Sequence, residues 1–338
     1  MTDNRAKKGE RFVCYRLAET TETLMLADDG RDGRYRFVFA PFQESVRSPK
    51  VWIRGSKLLR GAKSLGVSVE GLELRALEGR DEESPMLRRT GTYGERFETF
   101  HRELRKGRFQ KLVLSRPFDA TCGDPMETFH RLCERFPHSL VYLLHTPETG
   151  TWIGATPELL LRHTCEGWDT MALAGTKYAD GSNDGWDEKN RREQRLVCDY
   201  LRERLTPLCC DVTEQATTTL RTGELYHLCT KFRFTPHDDA GLTALTEALH
   251  PTPAVCGMPK EEAKRFILAN EGYDRSYYAG YLGPVEADGE SHLYVNIRCA
   301  RLHGKGRATV YAGSGLLTSS RMEDEREEIR RKSEALFT

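Results

Sequence analysis

GYLGPVEADGESHLYVNIRCARLHGKGRATVYAG, residues 280–313, holds three strand-like runs in succession, at 280–285, 292–302 and 307–312. Each is short and rich in Val, Tyr and Leu. Upstream, further strands are expected at 34–42, 109–116, 140–145 and 170–174. Helical spacing marks 93–105, where Phe97, Phe100 and Leu104 repeat, and also 187–205, 259–270 with Pro259 at its start, and about 323–336. The charged run 79–89 reads as a surface loop. Strands therefore come in groups with helices between the groups. That pattern predicts an α+β fold with antiparallel sheets, not a strict βαβ alternation.

The chain has 338 residues, with 51 Lys and Arg balancing 51 Asp and Glu. No bulk field favours nucleic acid or an anionic membrane, so a charged ligand must be held by a local cluster. No apolar run approaches the roughly 20 residues of a membrane span. The polar stretch 1–11 lacks the apolar core of a secretory signal. Ten scattered cysteines without a C-x-x-C pair predict free thiols in a reducing cytoplasm. No linker, repeat or convincing boundary appears, which predicts a single domain over 1–338.

Two helices carry carboxylates on otherwise apolar faces. Glu193 shares a face with Leu196 and Val197, and Asn190 lies one turn earlier. Glu325, Glu328 and Lys332 share a face of the last helix. Taken alone, the first helix reads as a charged first turn and the last as a solvated face with an i,i+4 Glu328–Lys332 pair. Taken together, they could supply oxygen ligands to a hard cation such as Mg²⁺. Lys111 shares one strand face with Val113 and Ser115, and is either a desolvated general base or a solvent-facing lysine. Glu158 precedes Leu159-Leu160-Leu161. It could be a carboxylic acid kept protonated by apolar neighbours, or the acidic first turn of a helix. Ala174-Gly175-Thr176-Lys177 and Ala312-Gly313-Ser314-Gly315 each read as the end of a strand with backbone open to an anion, or as simple turns. Arg298, inside an expected strand, calls for a carboxylate partner, and His227 alone reads as a core histidine.

The order of these motifs from Phe109 onward resembles the chorismate-utilising enzymes, which include isochorismate, salicylate, anthranilate and aminodeoxychorismate synthases. The resemblance is carried by KLVLSR at 111–116, GATPELLL at 154–161, ALAGT at 172–176, His227-Leu228 and HPTPAVCG at 250–257. It continues through the run around Arg298, YAGSG at 311–315, and Glu325, Glu328 and Lys332. The first hundred residues match loosely. The resemblance implies a large two-sheet antiparallel sandwich flanked by helices. It also implies Lys111 as the base activating water toward C2 of chorismate, and Glu158 as the acid at the C4 hydroxyl. Glu193 and Glu328 match magnesium ligands, with Glu325 as an outer one. Gly175, Thr176, His227, Tyr278, Arg298, Gly313, Ser314, Gly315 and Lys332 match substrate contacts.

Within that family, Lys111 favours water over ammonia as nucleophile. Ala174 stands where the aminodeoxychorismate type tends to have a lysine. Ala254 follows the isochorismate pattern and Tyr278 the salicylate pattern. Asn190 replaces a usual acidic residue, and Gln194 a usual histidine. The expectation is an isochorismate synthase requiring Mg²⁺ and no amidotransferase partner, serving menaquinone or siderophore synthesis. A salicylate synthase or a non-catalytic chorismate-binding homologue are the alternatives.

Overall fold

A computed structural model describes residues 11–31, 33–61, 92–178, 185–238, 240–286 and 289–337. Two large sheets form its centre, and every strand pair described in them is antiparallel. In spatial order, the first sheet runs Gly257–Met258, Lys111–Thr121, Arg307–Leu316, Cys299–Leu302, Gly150–Thr156, Leu140–Thr146, Phe12–Arg16, Leu24–Ala27 and Leu58–Arg60. The second runs Cys209–Glu214, Leu225–Pro236, Gly167–Tyr178, Leu159–Thr164, Ser291–Val295, Tyr281–Glu286, Tyr35–Ala40 and Val51–Gly55, with Thr218–Thr222 also on Leu225–Pro236. Strands from the first sixty residues are split between both sheets. The expected run 79–89 lies outside the described residues. Among those described, no helix is long and apolar enough to cross a membrane.

Period-two patterning explains why the first sheet is buried on both faces. Along Leu140–Thr146, Leu140, Tyr142 and Leu144 enter the main core with Trp152, Phe37 and Phe39, while Val141 and Leu143 turn to the other side. There they meet Phe129 and Leu132 of the Pro125–Arg135 helix, which Asp124 caps through the amides of Met126 and Glu127. The Glu188–Leu205 helix packs on Gly167–Tyr178 and Leu225–Pro236 of the second sheet, and Met322–Glu334 packs on Arg307–Leu316 of the first. Both helix assignments agree with the sequence to within two residues at each end.

Of the connections that cross between the sheets, two lie at the centre of the molecule and concern the site. Gly150–Thr156 belongs to the first sheet and Leu159–Thr164 to the second, so the chain changes sheet at Pro157-Glu158. The single strand expected at 292–302 is two strands. Ser291–Val295 lies in the second sheet and Cys299–Leu302 in the first, joined by Asn296-Ile297-Arg298. The alternating pattern on either side hid the break, because it continues in the same period. The two crossings lie side by side. The amide of Ala155 donates to the carbonyl of Arg298, the amide of Val295 to that of Glu158, and the Thr156 hydroxyl to the carbonyl of Val295. Beyond Tyr311, the Arg307–Leu316 strand consequently loses its neighbour on that side, since Cys299–Leu302 pairs only Ala308–Tyr311.

Candidate active site

The gap left by this double crossing is a cleft of about 720 Å³, part of it open solvent. Glu158, Gly175, Thr176, Glu193, His227, Tyr278, Arg298, Gly313, Gly315 and Lys332 all line it, drawn from both sheets and both acidic helices. Lys111 is fully buried behind the wall. It reaches the cleft through Glu193, to which its Nζ lies at 2.7 Å. The solvent-facing reading of Lys111 therefore fails. Leu112 and Leu114 fill the core on the opposite strand face, and Val113 lines the cleft on the same face as Lys111.

Glu158 does not begin a helix. It sits in the crossing just before the Leu159–Thr164 strand, where its Oε1 accepts a 2.9 Å hydrogen bond from Thr252. Burial pushes its carboxyl up to about 7, against the pull of the Thr252 hydrogen bond and of the Lys111 and Lys332 charges. Glu193 has the opposite balance. Burial would raise it, but Lys111, Lys332 and Lys189 outweigh burial and hold it below the usual carboxylate range. A buried and a partly exposed carboxyl in one cleft are thus biased in opposite directions, one toward the acid and one toward the anion.

The loops expected at 174–177 and 312–315 are parts of strands. Gly175-Thr176 is a bulge in Gly167–Tyr178, whose register against Leu225–Pro236 shifts between Ala174 and Lys177. Gly175 has φ +71°, a conformation that any Cβ would strain. Gly313-Ser314-Gly315 pairs with Ser115-Leu114-Val113, so it is not a turn; its free edge is the one vacated beyond Tyr311. Its glycines are required by space. A Cβ on Gly315 would lie 2.3 Å from Glu193 Oε1 and 2.7 Å from Lys111 Cε, and one on Gly313 would lie 2.9 Å from the Tyr278 hydroxyl. Ser314, between them, is buried and turned away from the cleft.

Arg298 meets an imidazole and a carbonyl. Its guanidinium donates to Nε2 of His227 and, at 3.3 Å, to the Thr222 carbonyl. It sits at φ +48°, a sparsely populated conformation that the crossing imposes. Burial, Arg298 and Lys332 hold the His227 imidazole well below its ordinary pKa, so the ring is neutral. Tyr278 is buried and stacks on Tyr311 at 5.6 Å.

Each of the three glutamates matched to metal ligands meets a lysine: Glu193 with Lys111, Glu325 with Lys189 at 2.6 Å, and Glu328 with Lys332 at 2.6 Å. Among the described residues, no three acidic, histidine or cysteine side chains converge closely enough to cage an ion. Mg²⁺ commonly needs only one or two carboxylates beside substrate and water oxygens, and the donors here are oxygens alone. Glu325 is fully buried, and among the described residues its Oε2 has no hydrogen-bond partner. The donor set therefore fits a hard cation, with the lysines balancing the carboxylates.

Sequence reasoning missed the buried Glu271–Arg275 pair. Glu271 accepts from the amide and hydroxyl of Ser115, each at 2.7 Å, and from Arg275 at 2.6 Å. Arg275 in turn donates to the carbonyls of Val255 and Val113. This pair ties the Lys111 strand to the loop that carries Val255. Its i,i+4 spacing was the available signal, but such pairs are ordinarily on surfaces. Gln194 faces away from the cleft, donating to Ala172 O and the Thr230 hydroxyl.

Architecture and cleft together define a two-sheet fold with a polar cleft drawn from both sheets. The family model described as "Chorismate binding enzyme" matches residues 76–338. The chain is 34% identical over 253 residues to a Mycobacterium tuberculosis protein provisionally assigned as the isochorismate synthase MenF, covering 69% of this chain and 68% of that one. The structure of MenF, the menaquinone-specific isochorismate synthase from Escherichia coli, superposes with TM-score 0.75 at 20% identity, covering 98% of this chain and 89% of that one. Anthranilate synthase component I from Streptococcus pneumoniae superposes with TM-score 0.68 at 20% identity, covering 99% and 93%. The two structural likenesses establish the fold alone. The chain belongs to the chorismate-binding enzyme family.

Proposed function

We propose that this chain is an isochorismate synthase that adds water at C2 of chorismate and expels the C4 hydroxyl. The observation carrying the reading is that one cleft is lined by a carboxyl biased toward its acid form, Glu158 at the sheet crossing, and is backed by a buried lysine, Lys111, held against the lining Glu193. Lys111 takes the proton from the attacking water, and Glu158 gives one to the departing hydroxyl. Glu193 and Glu328 would hold Mg²⁺, with Glu325 outside them. The ion, when bound, would steady the ring carboxylate and offset negative charge as the double bonds shift. Arg298, Lys332, Tyr278 and the backbone of Gly313–Gly315 receive the enolpyruvyl carboxylate, with Gly175, Thr176 and His227 completing the substrate surface. Ala174 offers no amine, so no covalent route through that position competes. All ten cysteines are free, which suits a reducing cytoplasm.

The test is incubation with chorismate and Mg²⁺, with products separated by chromatography. Isochorismate as the main product is expected. Salicylate with stoichiometric pyruvate would make the chain a salicylate synthase, an outcome the Tyr278 hydroxyl keeps chemically open. Unchanged chorismate would leave a binding protein.

A further inference from the structure

Asn190 lies one turn before Glu193 on the same helix, yet its side chain is committed elsewhere. Its Oδ1 accepts the amide of Thr176 at 3.0 Å, and its Nδ2 donates to Asp187 Oδ2 at 2.9 Å. Asp187 caps the helix by accepting Asn190's own amide at 2.7 Å. A Cβ added to Gly175 would lie 3.1 Å from Asn190 Oδ1 and 3.2 Å from Asn190 Cβ, so the carboxamide presses directly on the bulge. The carbonyl of Gly175 accepts His227 Nδ1 at 2.8 Å. With its proton on Nδ1, the neutral ring presents a lone pair at Nε2, and Arg298 donates to it. The contacts thus run from helix cap to bulge, to imidazole, to guanidinium. Asn190 itself does not line the cleft.

We propose that Asn190 is a positioning residue for Arg298: it clamps the Gly175-Thr176 bulge, whose carbonyl fixes the His227 tautomer, which in turn aims the guanidinium into the cleft. The amide is required chemically, because one side must accept from Thr176 and the other must donate to Asp187. A carboxylate in its place would face that of Asp187. The proposal rests on the reading above only in taking Arg298 as a receiver of a chorismate carboxylate.

Protein labelled with ¹⁵N-histidine reports the His227 tautomer by long-range ¹⁵N–¹H correlation without substrate. Wild type is expected to show the Nδ1–H form. Asn190→Ala should yield a mixture of tautomers and raise KM for chorismate by about tenfold, the usual reach of one lost hydrogen bond. It should leave kcat within about threefold and the magnesium requirement unchanged. Asn190→Asp should behave like the alanine variant. The double exchange Asp187→Asn with Asn190→Asp rebuilds the carboxamide–carboxylate pair and should restore both the tautomer and KM, which also answers the question if the alanine variant does not fold. An unchanged tautomer in both single variants overturns the proposal. So does a raised magnesium requirement at constant KM, which would assign Asn190 to the cation. An altered tautomer with unaltered KM would preserve the relay and refute the role of Arg298 toward chorismate.

Discussion

The shift on Glu158 has a sign that can be measured twice. In the proposed reaction its acid form is the proton donor, so kcat is expected to fall as pH rises through about 7. Glu158→Gln should abolish that alkaline limb and lower kcat by roughly 10² to 10⁴. The same raised value acts on stability. Between the ordinary carboxyl value and about 7, folding takes up a proton, so the contribution of Glu158 declines as pH rises across that window. The midpoint of thermal unfolding should therefore depend less on pH in Glu158→Gln than in wild type; equal slopes would show that the carboxyl is not perturbed. Glu193 and Glu328 are each paired with a lysine, so charge removal there separates two roles. Glu193→Gln and Glu328→Gln should raise the Mg²⁺ concentration giving half-maximal rate, and EDTA should silence the wild type. Full rates in metal-free buffer would remove both residues from cation binding.

Among the elements, the Arg307–Leu316 strand passes directly against the proposed machinery. Gly315→Ala would drive a Cβ against both Glu193 and Lys111, so either the carboxylate or the base must move. Turnover should collapse while circular dichroism keeps its native form; a variant with wild-type kcat would show that neither group needs its present position. This strand also illustrates what the sequence conceals. Four helices were legible because amphipathic spacing and caps are local: 93–105 coincides with Tyr93–Arg105, and Asp187 caps Glu188–Leu205, whereas Pro125–Arg135 and Leu242–Leu249 were not foreseen. The residues that meet at the cleft were legible as motifs. Their surroundings were not, because Lys111–Glu193, Lys189–Glu325 and His227–Arg298 join segments far apart in the chain. The sheet change at Asn296–Arg298 was invisible for a different reason. Both sheets demand the same alternation, so only the positive φ of Arg298 marks the break, and an arginine does not advertise it.

At the scale of the molecule, the paired crossings at Pro157-Glu158 and Asn296–Arg298 do more than open a cleft. Each carries a residue of the proposed chemistry, and each is hydrogen-bonded to the other's flanking strand. Neither sheet can therefore lose its order while the other stays native, because strands on both sides would have to release the same stitches. The cleft is thus welded to the global folding equilibrium instead of resting on a separately melting lobe. Amide exchange at Ala155 and Val295 should be as slow as the slowest core amides, and heat should remove activity and both sheets in one transition. Loss of activity well below the melting of either sheet would show the seam to be a hinge. For the proposed reaction, which must keep water on a chosen face of the substrate, such coupling turns overall stability into a direct guarantee of fidelity.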